Sequence, residues 1–343
     1  PILEMIEKLV KQGYAYQADN GDVYFSVAKF EDYGKLSGKK FDELRAGERV
    51  VVEAGHQDPL DFVLWKSAKP GEPKWPSKYG DGRPGWHIEC SAMSNSLLGN
   101  HFDIHGGGHD LQFPHHENEI AQSESCNGEK FVNYWMHNGF VQINQEKMSK
   151  SLGNFFILRD VLKNYRAEEI RYFLISSHYR SQLNYSEDQL NNARAALQRL
   201  YAAIQDTEIV KIPEQSDYRQ RFDQAMCDDF NTASAIAVLF DLVREINRAK
   251  AENSDDQHRL ASLLRHLGGL LGLLQEDAAS YLKSAAGQTA GGLSDTAIDD
   301  LIEQRLQARA AKDWATADRI RDELSAAGII IEDGADGTRW RRK

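Results

Sequence analysis

Three cysteines are all that the 343 residues contain, and the number is odd. A disulfide framework of the kind that staples small secreted domains is therefore excluded, and a reducing cytoplasm is the expected setting. No apolar run reaches the roughly 18 residues needed to span a bilayer. No charged segment followed by an apolar stretch opens the chain, so no signal peptide is expected. Positive charge is in deficit: 41 Lys and Arg face 52 Asp and Glu, a formal balance of −11. That excludes a globally basic nucleic-acid coat, yet it leaves room for a local basic site that takes a polyanion. The length suggests two to three domains at about 150 residues each.

An initiator Met is also lacking. Pro1 leads at once into Ile2, Leu3, Ile6, Leu9 and Val10, an amphipathic helix ended by Gly13. Such a start is expected of a fragment. Residues 14–27 alternate around Asp19-Asn20-Gly21, a hairpin signal because that turn needs positive φ. Short β-rich runs follow at Arg49–Val52 and Phe62–Trp65. The stretch Lys69–Gly85, with Pro70, Pro73, Pro76 and Pro84, reads as a long surface connection. A small α+β subdomain is expected over 1–82.

From 83 to 154 the pattern becomes strand, glycine turn and helix: Phe102–His105 into Gly106-Gly107-Gly108, a helix from about Pro114, and a strand candidate at Tyr134–His137. This alternation predicts α/β structure, with too few strands to stand alone, as in half of a doubly wound Rossmann-type domain. Residues 155–283 read as a helical bundle, with periodic segments at Val161–Tyr165, Ile170–Ile175, Leu190–Ile204, Ala233–Ile246 and Leu260–Leu274. A small-residue linker covers 284–294. A small C-terminal α+β module covers 295–343, with helices near 295–311 and 314–327.

Six of the eleven histidines (87, 101, 105, 109, 115 and 116) fall within thirty residues of one another. The same interval holds Cys90 and Pro114-His115-His116-Glu117-Asn118-Glu119. His115 and Glu119 at i and i+4 share a helix face, and with Cys90 they make a donor set suited to zinc. The order is not the His-Glu-x-x-His of zinc proteases. A second signal is Lys147-Met148-Ser149-Lys150-Ser151, whose two lysines can meet the charge developing on a triphosphate. A third is His105-Gly106-Gly107-Gly108-His109-Asp110, where glycines let backbone approach a nucleotide, or make a plain loop. The last is Arg339-Trp340-Arg341-Arg342-Lys343, four cations around an indole that could stack on an unpaired base.

Together these residues resemble the cysteinyl-tRNA synthetases, class I aminoacyl-tRNA synthetases. The resemblance rests on Gly85–Met93, His101–Gly108, Phe113–Glu119 and Lys147–Ser151, with weaker matches at His178-Tyr179-Arg180-Ser181 and Gly337–Lys343. It implies activation of cysteine by ATP with magnesium and transfer of the cysteine to tRNA(Cys). It implies zinc on Cys90, His115 and Glu119 that binds the substrate thiolate, so that serine is rejected without editing. Lys150, supported by Lys147, would stabilise the ATP phosphates. His105, Gly107 and Asp110 would lie near the adenylate and Trp86 near the substrate side chain. Arg339, Trp340, Arg341 and Arg342 would contact tRNA. The family further suggests a monomer.

One departure stands out, since the His-x-Gly-His motif of class I enzymes is absent from these residues. The family's fourth zinc ligand, a cysteine, lies in the same absent N-terminal half. Cys126 could replace it only if it folds close, and Cys227 is a worse candidate. The chain alone is accordingly expected to be inactive in adenylation. Two alternatives stand beside this reading: a non-catalytic tRNA-binding module, and a related cysteine ligase that acts on an amino-sugar acceptor.

Overall fold

The computed structural model describes residues 1–40, 55–143, 146–147, 157–212, 215–283, 293–334 and 337–342. Two compact units divide at Gly139 and Phe140, and each is described separately.

The first unit opens with α1 (Ile2–Lys11), which buries Met5, Ile6 and Leu9 on one stripe. The predicted hairpin follows as β1 (Ala15–Gln17) and β2 (Val23–Phe25), and Gly21 takes φ +85° in the turn. β3 (Phe62–Ser67) and β4 (Gly82–Pro84) extend an antiparallel sheet in the order β1-β2-β3-β4. β4 lies inside the stretch expected to be a surface connection. It pairs with β3 because Gly82 lets the backbones close, where a Cβ would sit 2.4 Å from the Lys66 carbonyl. The run at Arg49–Val52 lies outside the described residues.

α2 (Trp86–Leu98), β5 (Phe102–Gly108), α3 (Glu117–Asn127) and β6 (Val132–Asn138) complete the unit. β5 and β6 pair in parallel from Phe102↔Val132 to Gly108↔Asn138, with α3 as their crossover. The glycines expected to form a turn instead continue β5. A Cβ on Gly106 would meet the Met136 carbonyl at 2.5 Å, and one on Gly107 would meet Leu111 and His116 at about 3 Å. These glycines therefore serve close strand and helix packing. The core is continuous: Ile6, Leu9, Phe25 and Leu64 pack with Ile88 and Ala92 of α2 and with Ala121 and Cys126 of α3. Each such large side chain contributes about 1.5–3 kcal/mol on burial. The boundary expected at 82 does not mark a break in this core.

The second unit begins with β7 (Val141–Ile143), β8 (Glu146–Lys147) and β9 (Leu183–Tyr185), ordered β8-β7-β9. The helical part comprises α4 (Leu158–Val161), α5 (Ala167–Ile175), α6 (Glu187–Ile204), α7 (Asp217–Cys227), α8 (Thr232–Ala251), α9 (Asp256–Leu270) and α10 (Ala278–Lys283). Its core is a leucine-rich seam, with Leu197, Leu200, Leu239, Leu242, Leu264 and Leu267 fully buried. α7 was not foreseen, because only Phe222 of its residues is buried and no apolar stripe marks it. The predicted linker falls mostly outside the described residues.

The last module holds α11 (Asp295–Ala310), α12 (Trp314–Ala326) and the hairpin β10 (Ile329–Gly334) and β11 (Gly337–Arg342). Ser294 caps α11 by accepting from the Ala297 amide, and Asp313 caps α12 through Thr316. Ile298, Ile302, Ile320, Leu324, Ile329 and Trp340 form its core.

Candidate functional site

The first unit concentrates its buried polar groups around the start of α3. Regular helix begins at Glu117, later than the expected Pro114, and a wide turn over Gln112–His116 precedes it. That turn still carries His115 onto the face of Glu119, with Nε2 2.8 Å from Oε1. Cys90, from the first turns of α2, joins them: the thiol, imidazole and carboxylate donor atoms all lie within 4.8 Å of one another. Glu119 is fully buried. Its Oε2 accepts from His105 Nε2 at 2.9 Å, and its Oε1 has the His115 ring nitrogen at 2.8 Å but in no well-aligned hydrogen bond. A buried carboxylate is costly unless its charge is balanced, and this one faces the thiol and imidazole that could share a cation with it.

The surroundings fix this donor set. His87 Nδ1 lies 2.8 Å from His115 Nδ1, so the two rings share one proton and His115 Nε2 is left aimed at Glu119. Trp86 stacks on His115 at 4.3 Å between ring centroids and is itself 60% exposed. His116 Nδ1 lies 2.8 Å from His137 Nε2. Burial pushes His87 down to about 4, helped by the neighbouring charge of His115. Burial likewise pushes His116 to about 4. Burial would raise Glu119, but His105 and His115 outweigh it and hold the carboxyl at about 2. The Cys90 thiol is pushed up by burial and by the carboxylates of Glu119 and Glu89. His87 and His116 are thus neutral and Glu119 is ionised, and the Cys90 thiol would lose its proton to solvent on binding a metal. The residues fit zinc.

His105 belongs to this cluster through Glu119, and Gly107 lies against His116. Asp110 is exposed in the turn after β5. Cys126 does not join the donors. It lies seven residues beyond Glu119 on α3, about 10 Å along the axis, and packs in the core near Lys8. Cys227 is exposed at the end of α7, in the second unit. Lys147 ends β8, and Lys150 lies outside the described residues.

Sequence reasoning missed the positions of His87, His116 and His137. The first two stood in the histidine cluster without an assigned contact. His137 is brought in only by the parallel register that sets it opposite Gly107.

The C-terminal expectation needs correction. Trp340 is 7% exposed, seated in the module core, and its Nε1 donates to Asp299 at 2.7 Å. No face of the ring is free for a base, because β11 turns it inward. Arg342 donates to the Lys283 and Leu293 carbonyls and to Asp295. Arg341 pairs with Glu332, and Arg339 with Asp206. Trp314, at the start of α12, is instead 59% exposed. Near it in sequence, Arg309 binds Asp333, which also takes a two-pronged contact from Arg305 at 2.9 Å on each oxygen.

A family model for the class I (C) tRNA synthetase catalytic domain matches residues 1–195. Models for the DALR domain and the cysteinyl-tRNA ligase anticodon binding domain match residues 221–275 and 292–341. The cysteine–tRNA ligase of Thioalkalivibrio sulfidiphilus is 63% identical over 99% of this chain and 74% of its own length. The chain belongs to the cysteine–tRNA ligase family. The ligases of Methylococcus capsulatus and Vibrio atlanticus are 61% and 56% identical, over all of this chain and again 74% of their own lengths. Among solved structures, a LeuRS–tRNA–LeuAMS complex from Agrobacterium radiobacter K84 is similar with a TM-score of 0.44 at 16% identity, over 61% of this chain and 33% of that one. Among the described residues no helix is long and apolar enough to cross a membrane.

Proposed function

We propose that this chain serves the ATP-dependent activation of cysteine and its transfer to tRNA(Cys), with Cys90, His115 and Glu119 holding a zinc ion. When bound, zinc supplies a soft seat for the substrate thiolate, which a serine hydroxyl fills poorly. His87 orients His115, and His105 anchors the second oxygen of Glu119. Trp86 presents an exposed indole beside the donors, against which the small substrate side chain packs. His105, Gly107 and Asp110 form the adenylate side, at the end of β5 where ligands of parallel sheets bind. Lys147 and Lys150 offset charge on the phosphates of magnesium-bound ATP. These roles divide over the segments 83–154, 155–283 and 295–343, with 1–82 sharing the core of the first and 284–294 as the linker.

For tRNA, the exposed Trp314 replaces Trp340 as the stacking plane, with Arg309 beside it in sequence. The match of 292–341 to an anticodon binding domain disfavours the amino-sugar alternative. As an isolated 343-residue polypeptide, the chain is proposed to be inactive in adenylation, since it supplies no His-x-Gly-His and three zinc ligands.

The observation that carries the zinc reading is the convergence of the Cys90, His115 and Glu119 donor atoms within 4.8 Å of one another around a fully buried carboxylate. Zinc content after dialysis, with cysteine and serine titrated calorimetrically, tests it. With three protein ligands zinc should be held weakly, be lost in Cys90→Ser, and be required for binding cysteine in preference to serine. Equal zinc in Cys90→Ser overturns the assignment. Cysteine-dependent ATP–pyrophosphate exchange by the isolated chain overturns the inactivity.

A further inference from the structure

The stretch His178-Tyr179-Arg180-Ser181 has no role in the chemistry above, yet three of its side chains converge on one carboxylate. Tyr179 donates its hydroxyl to Asp229 Oδ1 at 2.8 Å, Arg180 grips both oxygens through Nε and Nη2, and His178 Nε2 lies 3.8 Å away. Asp229 sits in the turn between α7 and α8. It and Phe230 both adopt the left-handed region, with φ 52° and 53°. Two consecutive left-handed residues that are not glycine are strained. Arg180 and Asp229 are 49% and 42% exposed, and an ion pair that open to water returns less than such strain costs. The turn is therefore shaped for position and not for stability.

What it positions follows from the strand register. The loop that holds Arg180 leads directly into β9, with Leu183 donating to the Phe140 carbonyl. β9 pairs with β7, and β7 pairs with β8, where Gln142 faces Lys147. A hydrogen-bonded path thus runs from the α7–α8 turn, through Asp229 and Arg180, across a three-stranded sheet to the lysine at the head of the signature pentapeptide. Asp229 falls in the segment matching the DALR domain, and Arg180 in the segment matching the catalytic domain.

We infer that Asp229 and Arg180 are positioning residues that report tRNA engagement by the helical bundle to the strand carrying Lys147. The inference rests on the proposed tRNA binding. Its test uses this chain with an unmodified tRNA(Cys) transcript. Affinity is read by fluorescence anisotropy, and amide exchange of residues 141–147 is read in the same samples. Asp229→Asn keeps a side chain that tolerates positive φ but removes the charge that Arg180 grips, and Arg180→Gln removes the other half.

In the wild type, tRNA should slow exchange of 141–147 at least fivefold. Both variants should bind tRNA within about threefold of wild type and lose that slowing, while exchange without tRNA stays unchanged. Retained slowing in either variant overturns the inference, and so does faster exchange without tRNA, which marks a merely structural contact. Binding by the wild type without any slowing overturns this inference alone. No binding by the wild type overturns the tRNA reading and this inference with it.

Discussion

Trp340→Ala should unfold the C-terminal module and leave the rest of the chain intact. The indole is 7% exposed among Ile298, Ile302, Ile320 and Leu324. Burying such a ring removes about 200 Å² from water, which at about 25 cal/mol per Å² is about 5 kcal/mol. Measured Trp→Ala losses in cores run to about 3–5 kcal/mol. Losing the bond to Asp299 adds about 1 kcal/mol. A unit of about fifty residues has only about 3–7 kcal/mol in total, at the usual stability per residue. Trp340→Phe keeps most of the packing and should cost about 1–2 kcal/mol. Native-state amide exchange over 295–342 measures both. Protection there should collapse in the alanine variant and survive in phenylalanine, while α6, α8 and α9 remain protected. If Trp340→Ala kept module protection and instead lost tenfold or more in tRNA affinity, the ring would be a base contact and the burial argument would fail.

Trp314→Ala should show the converse, with stability within about 0.5 kcal/mol of wild type and tRNA affinity lower by about tenfold, the scale of one lost base–aromatic stack. Calorimetric unfolding and filter binding check the two halves separately. Glu119→Gln should reduce zinc affinity more than His87→Gln does, because His87 acts through His115. A loss of about 10–100-fold is expected for His87→Gln, and chelator competition measures both. Asp333 is held well below the usual carboxylate range, first by Arg305 and then by Thr338. Its folded carboxyl ionises more readily than the unfolded one. Its contribution is therefore complete above about pH 4 and disappears as the pH falls below that. Since Asp333 is 40% exposed, the contribution is about 1 kcal/mol at most. Asp333→Asn should lower module stability at pH 7 by about that amount, and the difference should shrink as the pH falls from about 4 toward the lowered folded value; a constant difference across the range would refute the assignment.

The parts of the fold that could be read from sequence are those with a periodic apolar signal or an obligatory turn. The amphipathic stripe of α1, the Asn20-Gly21 hairpin and the seams of α6, α8 and α9 all carry one. α7 escaped because it buries a single large residue. β4 escaped because its pairing depends on a glycine among prolines, and that reads as a loop. At the site, the convergence of Cys90, His115 and Glu119 could be read because His115 and Glu119 are one helical turn apart and Cys90 stands in the same short interval. The contacts of His137 and His87 could not, since one depends on strand register and the other on how α2 packs against the turn before α3. The tail misled for a related reason: an indole among arginines has the same composition whether it faces solvent or closes a core.

The helix that carries Glu119 has a further consequence, for the order in which the unit is built. α3 buries Glu117, Asn118, Glu119, Gln122, Ser123 and Ser125, and its only large apolar residue is Ile120. It therefore brings little hydrophobic drive of its own. Three of these polar groups take partners supplied from elsewhere: Tyr33 for Asn118, the amides of Leu36 and Ser37 for Glu117, Ser91 for Gln122. A helix so dependent is expected to form late in folding. Substitutions along α3 should mainly speed unfolding and leave the folding rate little changed. On that order Cys90, His115 and Glu119 would come together only after α1, the sheet and α2 have assembled, so that uptake of the proposed zinc would report completed folding of the unit.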